Sequence, residues 1–370
     1  MRRAGIESIP LPDLPLWHNA RARRVPLAFE LELTARCDNN CRHCYINLPQ
    51  GDASAADREL TVAEIDDLAA QAAGLGALWC LATGGEPLLR EDFPEIYLGL
   101  RRRGLLVSVF TNGCLIDERI AALFRRHPPR DVEITVYGAT RATYESVTRV
   151  PGSYGRFRAG LARLERAGIT PRLKAVFMES NRREMPAIAE FCREHTRDYF
   201  RFDTQLHLRY DRNQDRNREI IGQRLPPREI AELERSDRKH HRAMIEHCDR
   251  LLPRGGRPAK ERGLFFCRAG LDGFTIGWDG SFKLCGSLTD PACTYDLRTG
   301  ALREAWDSFV PSVRRGKPGG RRPRPSCAGC ELVNLCLWCP AHAYLETGKP
   351  DRPVKAFCEA ARARRSLLPN

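Results

Sequence analysis

No stretch of this 370-residue sequence stays apolar over the length that a bilayer-spanning helix needs. Met1-Arg2-Arg3 is followed by no apolar core of a secretory signal. No basic stretch interleaves with aromatic residues as nucleic-acid-binding surfaces do, although the formal net charge is +13. That charge comes almost wholly from arginine scattered along the entire chain. The densest run, Arg314 to Arg324, carries Pro and Gly and reads as a loop. These absences argue against a membrane protein, a secreted protein and a nucleic-acid binder. What remains is a cytoplasmic globular protein, with 42% hydrophobic residues for a core and a length that suits two or three domains.

Cysteine, by contrast, is abundant, with fifteen in the chain. In a reducing compartment this points to metal or cluster ligation rather than disulfides. Ten of them fall into two groups with ligand-like spacing, which leaves Cys80, Cys114, Cys192, Cys248 and Cys293 outside. The first group is Cys37, Cys41 and Cys44, with Tyr45 directly after. Three thiolates converging from one tight loop are soft ligands that select iron–sulfur chemistry or zinc. A structural zinc usually takes four protein ligands, and His43, between two of the cysteines, is awkwardly placed to be the fourth. A cubane [4Fe–4S] cluster on three thiolates would instead keep one iron open.

Thr83-Gly84-Gly85-Glu86-Pro87 is the second motif. Two glycines let backbone approach a ligand closely, and the adjacent carboxylate can accept hydrogen bonds from an ammonium group. Together with the CxxxCxxC loop and its aromatic, this resembles the radical S-adenosylmethionine (SAM) superfamily. The resemblance implies that Cys37, Cys41 and Cys44 hold a [4Fe–4S] cluster whose open iron chelates the amino and carboxylate groups of SAM. It implies reductive cleavage of SAM to a 5′-deoxyadenosyl radical that takes a hydrogen atom from the substrate, with a reductant such as flavodoxin or ferredoxin. By the same resemblance Gly84, Gly85, Glu86 and Pro87 hold the methionine end of SAM, Tyr45 lies near the adenine, and Asn112 of Thr111-Asn112-Gly113 joins the SAM site. A simply packed aromatic is the plain alternative for Tyr45.

Along the chain, residues 1–25 read as an irregular lead-in rich in Pro and Arg. From residue 26 strands and helices alternate. Strands are expected at Pro26–Thr34, Ala77–Thr83, Leu105–Thr111, Asp131–Tyr137, Pro171–Met178 and Tyr199–Arg209. Helices are expected from Thr61, an N-cap with Glu64 as capping box, and over Phe93–Arg103, Asp117–Arg126, stretches up to Ala167, and Arg183–His195. Six β/α units to residue 210 predict an α/β fold with a parallel sheet and helices outside it. The motif residues all follow strand ends, where such folds build their sites. An open doubly wound sheet is the default; the resemblance implies a partial (β/α)6 barrel. Residues 211–262 read as a charged, partly helical connector, with helical spacing over Pro227–Glu246. Its Asp211–Arg218 stretch reads as solvated, and His240, His241 and His247 as surface histidines.

The second cysteine group is Cys267, Cys285, Cys327, Cys330, Cys336, Cys339 and Cys358. Trp278-Asp279-Gly280-Ser281 between the first two reads as a hairpin turn. Two CxxC knuckles follow, a spacing that zinc also uses. With Cys267-x12-Gly280-x4-Cys285 ahead of them, they resemble the SPASM domain, a small cysteine-rich module with a β-hairpin and short helices, here over residues 263–370. The resemblance implies two auxiliary [4Fe–4S] clusters, an outer one on Cys327, Cys330, Cys336 and Cys358 and an inner one on Cys267, Cys285 and Cys339. One knuckle spacing departs from the pattern, x2 for x3 before Cys339. The inner cluster lacks a fourth cysteine, so either Cys293 completes it or one iron is open.

SPASM relatives mostly modify peptides. The resemblance therefore implies modification of a ribosomally synthesised peptide, by crosslinking, epimerisation or another side-chain or backbone change. The stretch before residue 26 has no room for a leader-recognition domain, so a separate leader-binding protein would supply it, or the substrate is instead a small molecule such as a sugar or amine. A sulfatase-maturing role fits less well, because Gly286 rather than Asp follows Cys285 and an eighth cysteine is missing. A reading of another class is an iron–sulfur scaffold or electron-transfer protein, which has no reason to keep the three-cysteine loop and the GGEP sequence. Asp203 and His207, at i and i+4 on one face of the sixth strand, are the candidates for a catalytic acid–base pair. Asp279 reads as a turn residue and His342 as structural. Cys80 and Cys114 are candidate hydrogen donors or simply buried thiols.

Overall fold

The computed structural model describes residues 19–20, 22–197, 200–238, 241–242, 264–265, 267–316, 327, 330–336 and 338–368. Most of the lead-in, Tyr199, His240, His247, Cys248 and the arginine run beyond residue 316 lie outside the described residues.

The sheet is organised around β1, Ala28–Thr34. Leu31 and Leu33 on one face and Glu32 and Thr34 on the other are all buried, so this end of the strand is covered on both faces. Parallel strands follow on one side: β2 (Trp79–Gly84), β3 (Leu106–Thr111), β4 (Asp131–Val136), β5 (Arg172–Val176) and β6 (Arg201–Asp203). Each is paired to its predecessor in sequence. Between them run α1 (Val62–Gly74), α2 (Phe93–Arg102), α3 (Glu118–Arg126), α4 (Arg141–Thr148), α5 (Ser153–Arg166) and α6 (Met185–His195). The expected capping box holds: Thr61 Oγ1 accepts from Glu64 N, and the Glu64 carboxylate accepts from Thr61 N at 2.8 Å. This is the (β/α)6 architecture expected.

The hairpin of β7 (Gly273–Ile276) and β8 (Ser281–Lys283) forms as the Asp279-Gly280 turn predicts. β7 pairs in parallel with the free edge of β1, so the carboxy-terminal region extends the sheet. With β9 (Thr294–Asp296) added, the order is β9-β8-β7-β1-β2-β3-β4-β5-β6. The seam is held by Phe29 stacked on Phe274 with ring centroids 5.5 Å apart. It also carries a buried ion pair, Lys283 Nζ to Glu32 Oε2 at 3.1 Å. Burial, partly offset by Lys283, pushes the Glu32 carboxyl upward.

One expectation needs correction. The sixth strand stops at Asp203 instead of running to Arg209. Its partner β5 ends at Val176, the residue opposite Asp203, so nothing remains to pair with, although Thr204, Leu206 and Leu208 stay buried alternately. Asp211–Arg218 is mostly exposed, as expected. It leads into α7 (Gln214–Gly222) and α8 (Pro227–Ser236), both of which bury side chains in the core. Arg364 of α10 (Lys355–Ser366) makes a two-pronged contact with Glu234 of α8 at 2.7 and 2.8 Å. Apolar side chains from Phe29 to Leu368 form one core. Among the described residues no helix is long and apolar enough to cross a membrane.

Candidate functional site

The loop Cys37–Cys44 leaves the carboxyl end of β1. Its shape is imposed from several sides. Asn40 N and Arg42 N donate to the carbonyls of Thr148 and Val147 at the end of α4. Asn39 N donates to Cys37 Sγ and Asn47 N to Cys44 Sγ, each at 3.4 Å. Arg209, only 4% exposed, donates to Asn47 O at 3.1 Å, to Asn47 Oδ1 at 3.0 Å and to Cys44 O at 3.4 Å. Arg42, Arg149 and Arg216 converge on the Glu219 carboxylate of α7 at 3.0 Å, and Arg216 also donates to Cys41 O at 2.8 Å.

Gly84 and Gly85 end β2 against this loop. Gly84 has φ +132°, and a Cβ there would run into the Thr34 carbonyl oxygen; one on Gly85 would run into those of Ala35 and Arg36. The approach lets Gly85 N donate to Thr34 O at 2.7 Å and Glu86 N to Arg36 O at 2.9 Å. Glu86 is wholly buried. Its carboxylate accepts from Thr111 Oγ1 at 2.7 Å, Asn112 N at 2.7 Å and Leu88 N at 3.1 Å. Burial and nearby Asp38 push its pKa up to about 8 against those hydrogen bonds. Asn112 in turn donates through Nδ2 to Asp38 Oδ1 at 2.7 Å. Loop, GGEP turn and the end of β3 thus form one bonded unit.

These elements close one end of a cavity of about 760 Å³ inside the barrel. Cys37, Cys41, Cys44, Tyr45, Gly84, Gly85 and Asn112 line it, together with Lys174, Asp203, His207, Tyr210 and Cys339. Glu86 and Pro87 are buried behind the two glycines. Tyr45 packs on Tyr210 with centroids 4.7 Å apart. Asp203 is exposed at the end of β6, whereas His207 stacks on His342 at 3.7 Å, so the pair does not share a face of a regular strand. Trp278-Asp279-Gly280-Ser281 is the turn it was read as, Asp279 Oδ1 accepting from Ser281 N at 3.2 Å. Cys80 and Cys114 are buried.

The donor set fits a cluster and its ligand. Cys37 and Cys41 are pushed well above the ordinary thiol range by burial and then by the neighbouring thiolate, so a metal would have to displace their protons. Asp38 Oδ2, Asn39 Oδ1 and His43 Nδ1 are buried at the loop without hydrogen-bond partners. Among the described residues no three His, Cys, Asp or Glu side chains stand close enough to hold a single metal ion.

Residues 31–192 match the model of the Radical SAM superfamily. These residues, rather under half of the chain, form a radical SAM domain. It is 25% identical over 347 residues to the AdoMet-dependent heme synthase of Methanosarcina barkeri, across 88% of this chain and 94% of that one. It is 28% identical over 169 residues to the PqqA peptide cyclase of Xanthomonas campestris, across 46% of this chain and 44% of that one. The fold is that of Streptococcus suis SuiB bound to precursor peptide SuiA, with a TM-score of 0.66 at 17% identity over 96% of this chain and 83% of that one. A radical SAM domain implies a [4Fe–4S] cluster and SAM.

The carboxy-terminal thiols fall into two neighbourhoods. Cys285 is pushed up to about 12 by burial, then by Cys339 and Cys267. Cys336 is likewise pushed up to about 12 by burial, then by Cys358, Cys327 and Cys330. Sequence reasoning missed Arg209, Arg216 and Glu219, whose roles depend on partners remote in the chain.

Proposed function

We propose that the protein is a SPASM-type radical SAM enzyme that abstracts hydrogen from a ribosomally synthesised peptide held in the barrel cavity. The observation that carries this reading is that Cys37, Cys41, Cys44 and the Gly84-Gly85 turn line one end of the cavity and Cys339 lines it too. Bound to the three thiols, a [4Fe–4S] cluster with SAM supplies the 5′-deoxyadenosyl radical. Gly84 and Gly85 leave room for the methionine end of SAM, Glu86 fixes Asn112 and the turn beneath it, and Tyr45 offers a ring for the adenine. Cys327, Cys330, Cys336 and Cys358 would hold an outer auxiliary cluster, and Cys267, Cys285 and Cys339 an inner one. Asp203 and His207 reach the cavity as a candidate proton acceptor and a positioning group.

A peptide suits the lining. Asn39 Oδ1, Thr135 and Gln205 offer amide and hydroxyl partners for backbone groups. Asp203 would oppose a polyanionic substrate, whereas Glu133 is paired with Lys174 at 3.0 Å and with Arg201. A second reading, a small-molecule substrate, is favoured by one observation: the similarity to the heme synthase runs nearly the whole length of both chains. A cognate peptide that raises 5′-deoxyadenosine yield while its scrambled form does not supports the peptide reading. Equal yields from both, with turnover of a tetrapyrrole, sugar or amine, would overturn it.

A further inference from the structure

The carboxy-terminal cysteines leave one ligand position unassigned. Cys267, Cys285 and Cys339 stand within electrostatic reach of one another. Three thiolates leave a [4Fe–4S] cluster one ligand short. His342 sits beside Cys339 on the first turn of α9 (Pro340–Thr347), the helix that Cys339 caps. Its main-chain N–H donates to Cys339 Sγ at 3.4 Å, so thiol and imidazole leave the same turn of backbone. The side-chain Nδ1 is buried and has no hydrogen-bond partner, an arrangement that asks for an occupant.

The ring is also held in place. His207 stacks on it with centroids 3.7 Å apart and planes within 10°, and Phe357 meets it edge-on at 6.2 Å.

We propose that His342, through Nδ1, is the fourth ligand of the inner auxiliary [4Fe–4S] cluster held by Cys267, Cys285 and Cys339. This rests on the auxiliary-cluster reading above. The competing ligand is Cys293, whose thiol lies near enough to Cys285 for their charges to interact. Cys285, Cys293 and Cys339 all pack against the apolar core, but only Cys339 of the three also lines the cavity, and His342 lines it beside Cys339. Coordination by an imidazole leaves the cluster one negative charge lighter than a fourth thiolate would and raises its reduction potential. Such a cluster is better suited to accept the electron left on a substrate after hydrogen abstraction.

Pulsed EPR on full-length protein tests this, after anaerobic reconstitution and reduction without SAM, in a Cys37/Cys41/Cys44→Ala background that silences the first cluster. The expected result is a strongly coupled nitrogen that changes on 15N-histidine labelling, survives His207→Ala and disappears in His342→Ala. His342→Cys should keep the iron, lose the nitrogen coupling and lower the potential, which guards against simple misfolding of the alanine variant. No strong nitrogen coupling, or coupling that survives His342→Ala, overturns the assignment. So does loss of the inner cluster in Cys293→Ala alone. About eight irons per chain in this background mean that both auxiliary clusters are present; zinc in their place would overturn the auxiliary-cluster reading itself, and the ligand assignment with it.

Discussion

The two cysteine regions are supported in different ways. The amino-terminal loop is clamped by backbone hydrogen bonds from α4, by the GGEP turn and by the buried Arg209. Its three thiols come from eight consecutive residues, and the protein fixes their relative positions. The carboxy-terminal thiols come from segments far apart in sequence. Among the described residues they are held by short elements: Cys330 N on Cys327 O at 2.9 Å, Arg314 Nη1 on Cys267 O at 3.3 Å, and Arg364 Nη1 on Leu335 O at 2.8 Å. A site that must leave one iron open for SAM needs a stiff scaffold. If the carboxy-terminal thiols enclose clusters as proposed, they can leave part of the ordering to the metal, because binding free energy there is also folding free energy.

The largest effect expected from this difference is on loading. Cys37/Cys41/Cys44→Ala should lose about four of about twelve irons, abolish SAM cleavage and keep the fold. Cys327/Cys330→Ala should instead lower the thermal midpoint as well as the iron count. Equal midpoints for the two variants would erase the distinction. Next comes Gly85→Ala. Its Cβ would meet the carbonyls of Ala35 and Arg36, backbone atoms that cannot step aside. A loss of roughly 1–3 kcal/mol is expected from such overpacking, together with failure to bind SAM; calorimetric titration with SAM reads the second effect.

Two buried arginines sharpen the comparison. Arg364→Ala strands the Glu234 carboxylate, whose side chain is 10% exposed, and should cost about 3–5 kcal/mol. Arg209→Ala leaves Asp211 with a side chain 45% exposed to water, so the loss is mainly hydrogen bonds and about 2 kcal/mol. Iron counts should separate them: Arg364→Ala depletes the carboxy-terminal iron, whereas Arg209→Ala weakens SAM binding at the first site. The reverse pattern would mean that the two supports are not independent.

The alternation of strand and helix was legible because parallel strands are short apolar runs and because Thr61, Asp117 and Gly104 punctuate the helices where they stand. The cysteine motifs were legible because their spacing is local. Arg209, Glu219 and His342 carried no such signal. Arg209 becomes a clamp only when Asn47 is brought beside it, and His342 only when the chain places His207 over its ring. The sixth strand was drawn too long for a related reason: its apolar alternation continues past Asp203, and only the end of β5 stops the pairing.

The last test concerns Glu86, the carboxyl that ties the GGEP turn to β3. In the folded protein burial, with help from Asp38, lifts it to about 8 from an ordinary 4.5. The native state therefore keeps a proton that the unfolded chain has given up over most of that interval. Stability contributed by the protonated group is complete below pH 4.5 and is lost as pH rises toward 8. Glu86→Gln removes this titration, though its amide now faces the Asn112 N–H, a fixed loss of roughly 1–3 kcal/mol. Thermal midpoints of cluster-loaded, SAM-free protein at pH 5.5 and pH 8.5 compare the two. The wild type should lead the variant by more at pH 5.5 than at pH 8.5. Parallel curves would mean that Glu86 is ionised throughout, held charged by its three donors, and that the turn beneath SAM is an anionic site in the folded protein from the outset.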